Sequence, residues 1–295
     1  MPDVPSFSPE REIERTFGRV AERRARIVIP EPTGLRRHRP GSHFHSSPEF
    51  FFQAGGGSDF ECPSGRFRLR TGEICIMPAG VPHAETPLDL RTPYRLVVLM
   101  RSSDGFIALR GKADAQRRIH SMDPVRFSGG GYAFQFLELA ALACRMNRSL
   151  RGDYTHGVVT AFLSVILSEM KHPSRAERET RPTLVREAEK IVHVDISKAD
   201  LSVEGIASRL AISPDHLTRL FQKARGMSLG AWISLERIQL ARELLARPEH
   251  NISEVAWACG FASASYFIRV FRSHCGTTPR EWRIREAEIR NSEFM

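Results

Sequence analysis

The sequence predicts an α+β multidomain chain in which a β-barrel or sandwich with a helical pair precedes an all-α domain built from two copies of one helical unit. Three observations support this prediction. Residues 27–128 contain short apolar stretches separated by Gly and Pro clusters, as in all-β domains. The apolar spacing becomes helical after residue 129, and the last third repeats itself at about fifty residues. With 295 residues, the chain is long enough for two separate cores.

Composition excludes several classes of protein. Hydrophobic residues make up 41% of the chain and charged residues 26%, which is typical of a soluble globular protein, and no apolar run is long enough to cross a bilayer. Residues 1–17 mix acids with arginines and lack an apolar segment, so we expect no secretory or transit signal and a cytoplasmic location. The absence of a CxxC pair favours free thiols at the scattered cysteines Cys62, Cys75, Cys144, Cys259 and Cys275.

The charge distribution indicates a polyanionic partner only locally. The net charge is +9, but residues 183–295 carry 16 basic and 14 acidic side chains, so bulk charge does not mark this part of the chain. Two segments within it, residues 216–235 and 255–280, contain no Asp or Glu. Their basic residues are Arg219, Lys223 and Arg225 in the first, and Arg269, Arg272 and Arg280 in the second. Each segment is expected to present an unopposed basic face to phosphates.

The N-terminal part divides into an arm and a β domain. In the arm, residues 1–26, Ile13, Phe17 and Val20 recur at helical spacing, so a short docked helix and a solvated arm both remain open interpretations. Residues 27–128 form the expected β domain. Its expected strands include residues 50–52, 73–77 and 94–100.

The middle of the chain predicts helices and a boundary. Residues 129–171 contain two helical stretches whose broad apolar faces suit packing on the β domain and on a second copy of the chain, which predicts a homodimer. Burial of both helices within one chain is the alternative. Residues 172–182 lack large apolar side chains and contain two prolines, so they are the expected linker to the domain at 183–295.

Each copy of the repeated unit has the parts of a helix-turn-helix: a short helix, a tight turn and a capped second helix. Pro214 suits the first position of the second helix in the first unit, and Gly260 suits the turn of the second unit. A connecting helix is expected from about 229 to 245. The expected helix-starting serines are Ser202 and Ser213 in the first unit, and Ser253 and Ser263 in the second.

From about Ser202 to Arg283, the residues resemble the AraC/XylS family. The resemblance lies in RLAIS, HLTRLF, the turn at Gly226, ARELLA, ISEVA, CGF, YFIRVF and GTTPREWR, in that order. It implies that two helix-turn-helix units enter successive major-groove segments and read direct half-sites within one chain. The implied function is a sequence-specific transcription regulator, with double-stranded DNA and RNA polymerase as partners.

The resemblance also implies which side chains contact DNA. The base-reading positions are Asp215, Thr218 and Arg219 in the first unit and Ala264, Ser265 and Arg269 in the second; backbone contacts fall at His216, Lys223 and Arg272, and Ser263 completes the set. Arg can donate two hydrogen bonds to guanine, whereas Thr and Ser pair with several bases. A structural ion pair or a phosphate contact is the alternative for Arg219 and Arg269.

The two recognition helices are expected to differ. Helical spacing turns Leu217, Phe221, Phe267 and Phe271 toward the core rather than the DNA. Because Ala264 and Ser265 are small, the second helix is expected to recognise DNA shape or methyl groups more than base hydrogen bonds. We therefore expect sharper base discrimination from the first unit.

The β domain contains a candidate metal site at His43, His45, Glu49 and His83. Strand alternation places His43 and His45 on one face, and such side chains inside a barrel could hold a divalent metal. The segments HFHSSPEFFFQAGG and GEICIMPAGVPH resemble the two motifs of the cupin superfamily, with departures at Arg37 and Pro87.

Three interpretations of this cluster stay open. It holds a metal, it lines a metal-free pocket for a small effector, or it is the centre of a metal-dependent oxygenase or isomerase with an appended DNA-binding domain. A fused DNA-binding domain requires only binding, so we expect no enzyme. A mixed apolar and basic pocket is suggested by Phe44, Phe50, Phe52, Arg68 and Arg70. The resulting hypothesis is that an effector or metal in the β domain changes how the DNA-binding units are presented.

Overall fold

The computed structural model describes residues 8–31, 45, 47–89, 93–102, 105–113, 119–128, 130–171, 183–246 and 250–293. These residues form two compact units, the first containing residues 8–31 and 47–171, and the second containing residues 183–246 and 250–293. Within these ranges, no helix combines the length and apolar character that a bilayer-spanning segment needs.

The strands of the first unit form two sheets. They are β1 (Ile27–Val28), β2 (Glu49–Gly55), β3 (Gly57–Cys62), β4 (Gly65–Arg70), β5 (Ile74–Met77), β6 (Ala84–Pro87), β7 (Arg95–Ser102), β8 (Gly105–Ala113) and β9 (Ile119–Ser128). One sheet has the order β1-β5-β2-β7-β8-β9 and the other the order β4-β3-β6. β1 pairs with β5 in parallel, and the other pairings are antiparallel.

Both faces of the larger sheet are covered, which explains the continuous apolar runs. Every residue of β2 and of β5 is buried. Phe51 packs between the two sheets, with its ring 5.2 Å from that of Phe60. Phe50 and Phe52 lie on the opposite face, in a cluster formed with the helices.

The prediction that Phe50, Phe52, Arg68 and Arg70 line an effector pocket is therefore wrong. Phe50 and Phe52 contact the helical layer instead of the space between the sheets. Arg68 is exposed and pairs with Asp59 at 3.1 Å, and Arg70 is also exposed. Alternation along these strands turns the arginines outward. Phe44 lies outside the described residues.

The helical layer of the first unit contains α1 (Pro9–Ala21), α2 (Phe134–Ala141) and α3 (Arg148–Lys171). Ile13 and Val20 of α1 are buried, as the docked-helix interpretation of the arm predicts. Phe162 of α3 joins the layer to the sheet, because its ring lies 5.3 Å from Phe50 and 5.4 Å from Phe134. The arm, the sheet and the helices thus share one core.

The second unit is helical throughout its described residues. Its helices are α4 (Thr183–Asp195), α5 (Val203–Arg209), α6 (Pro214–Arg225), α7 (Leu229–Leu245), α8 (Ile252–Ala258), α9 (Ala264–Cys275) and α10 (Pro279–Glu293). The bounds of α7 match the predicted connecting helix. Its buried residues include Trp232, Ile238, Leu240 and Leu244, which join one cluster with the other helices.

Three of the four predicted helix starts are correct. Ser202, Ser213 and Ser263 each accept a hydrogen bond from a backbone N–H in the first turn. The prediction for Ser253 is wrong, because α8 begins earlier and is capped by Asn251. Asn251 accepts from the Glu254 N–H at 2.9 Å, and the Glu254 carboxylate accepts from the Asn251 N–H at 2.8 Å, which completes a capping box.

The two helix-turn-helix units use different residues at the same left-handed turn position. Gly260 has φ +75° between α8 and α9, and Ala211 has φ +54° between α5 and α6. A side chain costs roughly 1–2 kcal/mol in this conformation, whereas glycine tolerates it. At Gly260 a Cβ atom would also lie 2.7 Å from the Ile196 carbonyl oxygen. The first helix-turn-helix unit is therefore strained at this turn, whereas the second helix-turn-helix unit is not.

We expect Gly260→Ala to lower the free energy of unfolding of the second compact unit by roughly 2 kcal/mol, because it adds left-handed strain and a backbone clash. Ala211→Gly is expected to raise it by up to about 1 kcal/mol, since relief of strain exceeds the entropy that glycine adds to the unfolded chain. All three tryptophans lie in this unit, so urea unfolding followed by tryptophan fluorescence reports on it alone. Changes of the same sign in both variants would contradict this account.

Candidate functional site

Helix α6 buries one face and exposes the other. Leu217 and Phe221 are fully buried in the core of the second unit, as predicted. The Ser213 hydroxyl accepts a hydrogen bond from the His216 N–H at 3.2 Å, which defines where the helix begins. Of the predicted DNA-contacting residues, Asp215, His216, Arg219 and Lys223 are exposed and Thr218 is half-buried. Asp215, Thr218, Arg219 and Lys223 therefore share the face opposite the core.

Helix α9 has the same arrangement. Phe267 and Phe271 are fully buried, and the Ser263 hydroxyl accepts from the Tyr266 N–H at 3.2 Å. Ser263 thus serves as the N-cap of the helix. Of the remaining predicted residues, Ser265, Arg269 and Arg272 are exposed and Ala264 is half-buried. Since Ser265, Arg269 and Arg272 are four and three residues apart, they lie along one face.

The predicted base-reading arginines are available for a partner. Within the described part of the chain, neither Arg219 nor Arg269 forms a salt bridge, so the structural ion-pair interpretation gains no support. The Arg269 guanidinium lies 5.2 Å from the centre of the Tyr266 ring. This cation–π contact restricts the orientation of Arg269 on the exposed face.

Two exposed residues of α9 were missed by sequence reasoning. Tyr266 is 47% exposed and Ile268 is 38% exposed. Helical spacing from Phe267 and Phe271 places both residues outside the core-facing stripe. Counting positions from the buried phenylalanines would have found them.

The prediction of a basic face on α6 needs a correction at Arg225. Its guanidinium pairs with Glu189 of α4 at 2.7 Å and lies over the Trp232 ring at 5.5 Å. The Glu189 side chain is fully buried and that of Arg225 is 13% exposed. Arg225 therefore joins α4 to α6 instead of facing a phosphate, because the α4 carboxylate lies beneath the end of α6.

A second cluster of interest consists of His45, Glu49 and His83. All three are buried, and one donor atom from each lies within 4.8 Å of the other two. Glu49 precedes Phe51 by two residues on β2, so both point to the same face, and the His83 ring contacts Phe51 with centroids 5.6 Å apart. The fourth predicted member, His43, lies outside the described residues.

The contacts of His83 select which ring nitrogen faces the cluster. Its Nδ1 lies 2.9 Å from the Val81 carbonyl oxygen, and its Nε2 lies 3.1 Å from the Glu49 carboxylate. Burial lowers the pKa of His83, but the hydrogen bond and charge of Glu49, the charge of Glu85 and the Val81 carbonyl outweigh it, so the pKa is raised. Donation from Nδ1 to the carbonyl leaves Nε2 as the ligand atom of the neutral ring.

The thiols offer no comparable site. The described cysteines Cys62, Cys75, Cys259 and Cys275 are free, and the first three are buried. Burial raises the pKa of Cys75 and of Cys259, which keeps both as neutral thiols.

Known proteins resemble the second unit. A family profile described as a helix-turn-helix domain matches residues 206–285. The regulatory protein PocR of Salmonella typhimurium is 33% identical over 124 residues, which cover 40% of this chain and 41% of PocR. The arabinose operon regulatory protein of Escherichia coli is 30% identical over 117 residues, which cover 40% of this chain and 38% of the relative. The second unit contains a helix-turn-helix domain that is similar to the corresponding regions of these two regulatory proteins.

A solved structure of an AraC-type transcriptional regulator from Chromobacterium violaceum is also similar, at 30% identity, covering 35% of this chain and 92% of that chain with a TM-score of 0.32. The chain spans less than half the length of the two curated relatives. The region that matches the helix-turn-helix profile begins at Ile206 in α5 and ends in α10. It therefore includes both α6 and α9, but not α4.

We expect Glu189→Gln to destabilise the second compact unit by about 3–5 kcal/mol, because the largely buried Arg225 guanidinium would lose the charge of the carboxylate with which it pairs. Glu187→Gln is the matched control on the same helix: its carboxylate is 35% exposed and lies 3.6 Å from Lys190. This control should change stability by less than about 1 kcal/mol. Urea unfolding monitored by tryptophan fluorescence measures both. Equal effects would show that the buried pair has no special role.

Proposed function

We propose that this protein is a sequence-specific DNA-binding transcription regulator in which α6 and α9 enter successive major-groove segments on one face of the DNA. One observation carries the proposal: both helices are capped by serine, bury an apolar inner face and expose polar residues at positions fifty apart in the sequence. The regulatory names of the relatives agree with it. The two half-sites then follow one another in the same direction rather than as a palindrome, because one chain supplies both helices as copies of one unit.

The exposed faces suggest how contacts divide between bases and backbone. Arg219 and Arg269 lie at equivalent positions and can each donate two hydrogen bonds to guanine. Asp215, Thr218 and Ser265 lie beside them and supply further base contacts. His216, Lys223 and Arg272 lie nearer the sides of this face or its C-terminal end, where phosphates pass.

Replacing Arg219 or Arg269 by Ala is expected to relax specificity at one base pair each, by about 1–3 kcal/mol, because a bidentate guanine contact is lost. The measurement is affinity of the full chain for an in vitro selected sequence and for its single-base variants. Lys223→Ala is the control: it should weaken binding to all sequences alike and reduce the salt dependence of binding. Uniform loss in the arginine variants would make them phosphate contacts as well.

We further propose that the protein senses a divalent metal, alone or together with a small effector, through the cluster of His45, Glu49 and His83. Two imidazoles and one carboxylate are donors that Zn²⁺, Mn²⁺ and Fe²⁺ accept. The donor spacing of 4.8 Å or less fits a single ion held between them. The Val81 carbonyl fixes the orientation of the His83 ring, as supporting contacts do for metal ligands. Bound metal would supply a positive charge that neutralises Glu49.

The same donor set supports one alternative. Two histidines and a carboxylate also hold iron in oxygenases, so a metal-dependent enzyme with an appended DNA-binding domain is the second interpretation. The relatives are named as regulators, which favours the sensor.

Glu49→Gln and His83→Gln are each expected to abolish stoichiometric metal binding, because each removes one of three donors. The measurements are elemental analysis of the purified full chain and the shift in melting temperature on adding Zn²⁺ or Mn²⁺. Glu85→Gln is the matched control, since Glu85 is half-buried near His83 but lies outside the three-residue cluster. A metal-free protein with no melting shift contradicts the metal proposal, and turnover of a substrate by the metal-loaded chain would favour the enzyme.

The homodimer stays a prediction, and exposed apolar residues support it. On the helical layer of the first unit they are Tyr132, Leu139, Leu142 and Leu150, with exposures of 61%, 43%, 46% and 60%. A second copy of the layer would cover such residues at the expected dimerisation region. Contact with RNA polymerase also stays a prediction.

A further inference from the structure

An aliphatic side chain occupies the exposed face of α9 at a position where α6 has a hydroxyl. Ile268 lies fifty residues after Thr218 in the repeat and is 38% exposed, between Ser265 and Arg272 on the outer face. It is more exposed than its neighbours Phe267 and Val270, which pack in the hydrophobic cluster of the second unit. Packing within the domain therefore leaves part of this apolar side chain uncovered on the outer face.

The chemistry of the major groove restricts what Ile268 could recognise there. Base edges present hydrogen-bond donors and acceptors, none of which isoleucine can use. The largest apolar group on these edges is the C5-methyl group of thymine. A thymine methyl buried against Ile268 would lose water at no cost in unpaired polar groups, whereas cytosine offers only a C5–H for contact and a purine would leave Ile268 facing polar atoms.

Resting on the proposed DNA-binding function, we propose that Ile268 selects thymine in the half-site of α9 through contact with the C5-methyl group. Arg269 follows Ile268 directly, so the thymine lies beside the guanine that Arg269 contacts. The Tyr266 ring lies 5.2 Å from the Arg269 guanidinium and orients this arginine toward the edge of the guanine. Ile268 then contacts the methyl group of the thymine.

The contrast with α6 gives the two half-sites different chemistry. Thr218 is half-buried, and its hydroxyl can donate or accept a hydrogen bond, so the corresponding position of the first half-site is not restricted to thymine. Ile268 cannot form a hydrogen bond and excludes polar alternatives. Helix α9 thus has its own base preference. The small side chains of Ala264 and Ser265 leave space for Ile268 to approach the base.

The test uses uracil, which differs from thymine only by the missing methyl group. The full chain is first used to select its preferred DNA from a random library, and the half-site of α9 is recognised as the one whose base preference changes in Arg269→Ala. Each thymine of that half-site is then replaced singly by uracil. At one thymine beside the guanine, affinity should fall about fourfold, as expected for the loss of one buried methyl group.

Ile268→Ala should remove this difference, so that thymine and uracil bind equally. Ile284→Ala is the matched control, because Ile284 is 52% exposed on α10 and should leave the fourfold difference unchanged. Circular dichroism melting checks that both variants fold, which their exposure leads us to expect.

The outcomes separate this proposal from the proposed function. Enrichment of a sequence with no uracil effect, or an effect that persists in Ile268→Ala, overturns the methyl contact and leaves DNA recognition intact. Failure to enrich any sequence overturns the proposed function, and the methyl contact with it. A uracil effect that is present in the wild type and in Ile284→Ala but absent in Ile268→Ala supports the proposal.

Discussion

Burial of paired residues one helical turn apart is the interaction on which the arrangement of the second unit depends. Leu217 and Phe221 of α6 and Phe267 and Phe271 of α9 are fully buried in one cluster around α7. Because each pair occupies a single stripe, it sets the rotation of its helix about the long axis. The opposite face of each helix is then the one presented outward. The outward positions of the two arginines are thus a consequence of core packing.

The repeated units share this constraint and differ where it is absent. Both α6 and α9 start at a serine cap, and both end at a glycine with φ +73°, so their lengths are equal. The turns differ, since Ala211 adopts a left-handed conformation that costs energy where Gly260 adopts it freely. The outer faces also differ, because Thr218 and Ile268 can make different kinds of contact. Core positions are matched between the units, while exposed positions are suited to separate tasks.

In the first unit, the covering of both faces of the larger sheet has a similar effect. Phe50 and Phe52 pack against the helical layer, and Phe51 packs between the sheets. Glu49 shares the inner side with Phe51, so its carboxylate is buried next to His83. A buried carboxylate needs a compensating partner, and the imidazole supplies one. This arrangement brings the Glu49 and His83 donors of the cluster together.

Local chemistry determined what the sequence by itself could predict: the strand and helix classes, the fifty-residue repeat, three of the four predicted serine caps and the inward faces of α6 and α9. These features depend on residues a few positions apart. Only the tertiary structure decided that Arg225 pairs with Glu189 rather than a phosphate, that Phe50 and Phe52 contact helices, and that Glu49 meets His83. Each of these contacts joins residues distant in the sequence, whose partners are chosen by how whole elements pack, and local periodicity carries no information about that choice.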